Sequence, residues 1–161
     1  MRAPIDGART ITAAGLARVE RLVDEHRYED ALAAVGGVHV PAASAPDLAL
    51  RALLAEAWSR MNVGELDAAA TTLERARAIS ESPSCTDAER AETVFRLGAC
   101  RLTAGNVSNA VSLLTVAIEL AEDAGFAGDR ARARAYEWRA RCYVLQREWE
   151  AAQSDADRSL E

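Results

Sequence analysis

Lysine is absent from this chain of 161 residues: all 19 basic residues are arginine. A lysine Schiff base, a P-loop phosphate ligand and a lysine base are excluded with it. Aromatic residues make up only 5% of the chain, and it holds just three cysteines and four prolines. Cys85, Cys100 and Cys142 are odd in number and widely spaced, which fits neither a disulfide framework nor a zinc site. No apolar run approaches the roughly 18 residues of a membrane span, so no membrane partner is expected. The first fifteen residues lack the apolar stretch of a secretory leader. Together these absences predict a reducing cytoplasm, and the arginine-only usage suggests a GC-rich bacterial source. A net charge of −6 leaves no general basic footprint, so nucleic acid is not an expected partner. Dinucleotide, Walker, HExxH and GxSxG signatures are missing as well, and the reading is of a non-enzyme without cofactor or metal.

What the chain does have is alanine, leucine, glutamate and arginine at helical spacing. Leu16, Val19, Leu22 and Val23 share one helical face, and Val94, Leu97 and Cys100 another. Val38-His39-Val40 is too short for a strand and runs into Pro41. Breakers divide the rest. Pro46-Asp47 opens one helix, Gly64 and Gly105 each sit between two helical runs, and Ser82-Pro83-Ser84 closes another. Thr86 followed by Glu89 reads as a capping box, and Gly125–Asp129 as a loop with Asp129 as N-cap. Eight helices are expected, over 12–26, 28–36, 47–62, 65–80, 87–104, 107–124, 129–146 and 149–160. They follow a flexible segment at 1–11 and form one all-α domain over 12–161.

Four stretches share one form: a turn residue, a polar residue, a large apolar residue, two mostly polar residues and alanine. They begin at His26, Gly64, Gly105 and Arg147 and end at Ala31, Ala69, Ala110 and Ala152, spaced by 38, 41 and 42 residues. The turn residue reverses the chain, the apolar residue staples the second helix back, and alanine allows a close helix crossing. A helix pair of this kind cannot bury its apolar surface alone, so neighbours stack. The hinge form, with Leu97-Gly98 before it and the later Tyr143, resembles the tetratricopeptide repeat family, in repeats at about 12–41, 47–82, 87–125 and 129–161. The third repeat carries the resemblance best. The period exceeds the usual 34 residues, the closing prolines are missing or displaced, and His26 and Arg147 stand where glycine is expected. Long periods are similar to the repeat domains of bacterial transcription regulators and signalling proteins.

That resemblance implies a right-handed superhelix of about four antiparallel helix pairs, whose first helices line a concave groove. It implies a scaffold or regulatory module that binds a protein or peptide segment, with a peptide or small-ligand sensor as the alternative. Carried over position by position, the groove is lined by Leu16, Glu20 and Asp24, then Leu54, Trp58, Met61 and Asn62. Glu92, Phe95, Arg96, Ala99 and Thr103 follow, then Arg134, Glu137, Trp138, Arg141 and Leu145. Trp58, Asn62, Phe95, Arg96, Arg134, Trp138 and Arg141 are the expected partner-binding residues. Trp58 and Phe95 suit an apolar segment if they face the groove, and inter-repeat packing if they do not. Leu16 and Glu20 stand where a carboxylate-clamp subtype needs lysine and asparagine, so that function is not implied.

Six of the 19 arginines fall within 130–147, interleaved with Tyr136, Trp138 and Tyr143. Arginine beside Trp or Tyr is the composition of binding hot spots and points to an acidic partner. A solvated arginine-rich helix facing the acidic end of its neighbour accounts for the same residues. His26 reads as a helix C-terminus, and His39 as a loop residue. Cys100, Cys142 and Ser59 occupy one equivalent place, where a small residue packs; Cys85 falls in a loop, open to oxidation. The chain stops at Arg158-Ser159-Leu160-Glu161 inside a helical pattern. The expectation is a piece of a longer protein, or a homodimer through an uncapped last repeat.

Overall fold

The computed structural model describes residues 9–36, 38–39 and 45–160. Eight α-helices account for most of them: α1 (Ala13–Asp24), α2 (Tyr28–Val35), α3 (Pro46–Asn62), α4 (Leu66–Ser80), α5 (Asp87–Thr103), α6 (Val107–Asp123), α7 (Asp129–Gln146) and α8 (Trp149–Arg158). Among the described residues no helix is long and apolar enough to cross a membrane.

Local chemistry sets the helix ends. Thr12 caps α1 by accepting from the Gly15 amide at 3.1 Å. Pro46 is the first residue of α3, where its missing N–H costs nothing. Thr86 and Glu89 form the reciprocal capping box of α5. Two expectations are corrected here. Residues Gly125–Gly128 form a turn of 3-10 helix, and Gly128, not Asp129, occupies the N-cap of α7. A Cβ on Gly128 would lie 2.1 Å from the Ala121 carbonyl oxygen, so this turn seats directly on α6. The expectation of no strand is also corrected: β1 (Arg9–Thr10) pairs in parallel with β2 (Val38–His39). Ile11 is buried against α1 and α3, so the segment expected to be flexible joins the fold by Arg9; residues 1–8 lie outside the described residues. Gly37, Pro41 and the side chain of His39 also lie outside them.

The four hinges have one backbone. His26, Gly64, Gly105 and Arg147 all adopt left-handed φ, at 60°, 88°, 81° and 62°. The next residue in each returns to φ between −93° and −81° with ψ of 60–73°. Its amide donates five residues back, from Arg27 to Leu22, Glu65 to Arg60, Asn106 to Arg101 and Glu148 to Tyr143, at 2.8–2.9 Å. This is the Schellman closure of a helix C-terminus. Ala31, Ala69, Ala110 and Ala152 are all buried at the crossing that follows. The staple varies: Tyr28, Leu66 and Val107 are partly buried, but Trp149 is 62% exposed, against expectation. No following helix covers it in the described chain.

Every helix packs on the next, and α1 also meets α3, α3 meets α5, and α5 meets α7. One apolar core runs through α3–α7 around Phe95, Leu50, Leu73, Leu97 and Leu114. A second, smaller one joins α1 and α2 to α3. Gly98 allows a close crossing of α5 on α6: a Cβ there would stand 2.8 Å from Leu114 Cγ. Ser59, Cys100 and Cys142 are buried at their equivalent contacts. Cys85 is buried too, its thiol donating to the Ile79 carbonyl at 3.4 Å, so the exposed thiol expected in that loop is corrected. Burial pushes the Cys142 thiol up to about 11.

Candidate functional site

The odd-numbered helices, in contact one after another, present a shared face with a cleft of about 390 Å³. Glu20, Val23 and Asp24 of α1 form one end, and Ala127 of the 3-10 turn with Arg130 and Ala131 at the start of α7 the other. Between them lie Arg51, Leu54 and Ala55 of α3 and Ala88, Glu92 and Arg96 of α5. The small side chains Ala55, Ala88, Ala127 and Ala131 leave the space open. Phe126, next to Ala127 on the 3-10 turn, is 93% exposed.

The middle of the cleft is electrostatically closed. Arg51 donates to both carboxylate oxygens of Glu20, at 2.8 and 2.7 Å, and this pair holds the guanidinium above its ordinary value. Arg96 donates to Glu92 at 2.6 Å and to the Leu54 carbonyl at 2.9 Å, tying α5 to α3. Arg134 reaches the same Glu92 at 3.2 Å, tying α7 to α5. Burial pushes the Arg134 guanidinium below the ordinary arginine value; Glu92 opposes this, and the charges of Arg96 and Arg130 add to it. The ends differ. Among the described residues neither Arg130 nor Asp24 has an ion-pair partner.

Beside the cleft, Trp58, Phe95 and Trp138 make a three-ring cluster from α3, α5 and α7, with centroids 5.9–6.3 Å apart. Arg96 and Arg134 sit over Trp58 at 5.1 and 5.0 Å, and Arg141 over Trp138 at 4.8 Å. The expected contact residues are therefore brought together, but mostly as a wall. Phe95 is 0% exposed and offers no surface. Leu16, Met61 and Ala99, assigned to the groove by position, are buried in the core. Trp58 and Trp138 are partly buried, and Arg96 alone of the seven lines the cleft. Asn62 is exposed and donates to the Trp58 carbonyl at 2.8 Å; Arg141 is exposed and paired with Glu137.

The arginine-rich stretch is largely consumed by internal pairing. Arg139 grips buried Asp155 of α8 through two bonds, at 2.6 and 2.9 Å, and donates to Thr115 of α6 at 2.9 Å. Arg132 pairs with Asp129. Sequence reasoning missed the cleft roles of Arg51 and Arg130. One signal was present for Arg130: it is the second residue of α7, where the helix dipole disfavours a cation. Among the described residues no group of three or more His, Cys, Asp or Glu side chains could hold a metal ion.

No protein-family model, no curated protein and no solved structure matches the chain.

Proposed function

We propose that the chain is a tetratricopeptide-like solenoid of four hairpins that holds a partner's peptide segment in the cleft between α1, α3, α5 and α7. The observation that carries this reading is the cleft itself: four separate helices contribute to it, with alanines keeping it open and charged side chains around it. The repeated hinge backbone and the successive contacts of odd-numbered helices support the solenoid. Phe126 supplies an exposed apolar anchor beside the opening. The work is recognition, and the setting we favour is a regulatory or scaffold domain of a bacterial signalling or transcription-regulating protein.

A second reading, a ligand sensor, has one observation in its favour. Arg96 belongs both to the cleft wall and to the cation over Trp58, so occupancy reaches the contacts joining α3, α5 and α7.

The test is selection of binders from a random peptide library on the native chain, beside Ala88→Trp, which fills the cleft from the half-buried start of α5. Selected peptides are expected to bind the native chain and lose at least tenfold in affinity on the filled variant, with unchanged helical circular dichroism. Peptides that bind both proteins equally, or no selected peptide at all, would overturn the proposal.

A further inference from the structure

The charges left over in the cleft have a direction. Its middle pairs, Arg51 with Glu20 and Arg96 with Glu92, are satisfied within the protein. Among the described residues its two ends carry one unpaired charge each and of opposite sign: Arg130 on the α7 side and Asp24 on the α1 side. Each also stands at the wrong end of its own helix. Asp24 closes α1, where the backbone already presents partial negative charge, and Arg130 lies in the first turn of α7, where it presents partial positive charge. Neither residue helps its helix in that place, since each charge repeats the sign of the helix end it occupies. The dipoles instead reinforce the potential that each end shows to the cleft. A local cost with no internal gain marks a functional position.

We infer that the cleft takes a short peptide segment of fixed polarity, its carboxylate held at Arg130 and its basic group at Asp24. Arginine suits the first role because its planar fork meets both carboxylate oxygens. A segment of one charge sign is rejected at one end or the other, so the pairing sets specificity by repulsion as well as attraction. This rests on the peptide-binding reading of the cleft and adds the chemistry of the partner.

The experiment repeats the library selection on the native chain, on Arg130→Asp and on Asp24→Arg. Both substitutions place a charge that favours its helix end, so folding is not weakened; circular dichroism and thermal unfolding check this. The native chain is expected to enrich peptides carrying one acidic and one basic residue at a constant separation. Arg130→Asp should enrich peptides basic at both places, and Asp24→Arg peptides acidic at both. Each native-selected peptide should lose at least tenfold in affinity on either variant. Peptides that Ala88→Trp excludes, yet that show no charge pair or bind all three proteins alike, would overturn the polarity while leaving the cleft as the binding site. Failure to select any peptide would overturn both.

Discussion

The two central hairpins, α3–α4 and α5–α6, and the two outer ones, α1–α2 and α7–α8, turn through the same backbone but are held by different forces. The central pair use Gly64 and Gly105 at the hinge, where positive φ carries no steric cost. The outer pair force His26 and Arg147 into the same region, at roughly 1–2 kcal/mol for a residue with a Cβ. Helices in the central pair run 15–17 residues and share one apolar core. Those that end the outer pairs are short, at eight residues in α2 and ten in α8. In α8 only Ala152 and Asp155 are buried, so the Arg139–Asp155 pair does for it what leucines do elsewhere. The hinge conformation thus follows from packing one helix back on another, and residue identity only sets how easily it is reached.

The contrast can be broken most forcefully at its centre. Phe95→Ala should cost about 3–5 kcal/mol in a single cooperative transition, because the emptied space joins α3, α5 and α7; urea unfolding followed by circular dichroism measures it. Asp155→Ala should cost about 3 kcal/mol by stranding the half-buried Arg139. That loss should appear in α8 alone: hydrogen exchange should speed up over 149–158 while α3–α6 stay protected.

Exchanging hinge residues sharpens the comparison further. Gly105→Arg should destabilise by about 1–2 kcal/mol and Arg147→Gly should stabilise by up to about 1 kcal/mol. Thermal midpoints that move the same way for both would mean the hinges are not equivalent.

The smallest effect is on pH. Burial holds the Cys142 thiol protonated to about 11, against an ordinary value of 9.0. The folded state thus keeps a proton that the unfolded chain releases first. Stability from this source is full below pH 9 and falls as pH rises towards 11. Between pH 8 and 10.5 the native chain should lose about 1–2 kcal/mol more than Cys142→Ser, whose side chain does not titrate there.

Much of this fold was legible in the sequence. Helix periodicity, breakers and caps placed all eight helices to within two residues at every end, because those signals act within one or two turns. The hinge form was legible even at His26 and Arg147, since the apolar and alanine positions around them kept their spacing. The candidate site was less so. Counting positions from the hinge assigned Leu16 to the groove and left Phe95 undecided between groove and inter-repeat core, whereas both are buried. Which side chain opens on a groove depends on how neighbouring helices cross, and no local pattern fixes that. Arg51 meets Glu20 across 31 residues of chain, a pairing that only the packed helices create. Trp149 misled for the opposite reason: its staple position is intact, but the side chain is left exposed among the described residues.

The central claim is that partners are read by the face of the odd-numbered helices. Amide chemical shifts recorded as a library-selected peptide is added test it most directly. The account predicts changes confined to Glu20–Asp24, Arg51–Ala55, Ala88–Arg96 and Phe126–Ala131, with the indole signal of Trp58 moving alongside. Changes centred instead on the exposed Val144, Leu145 and Trp149, at the far turn of α7 and α8, would contradict it.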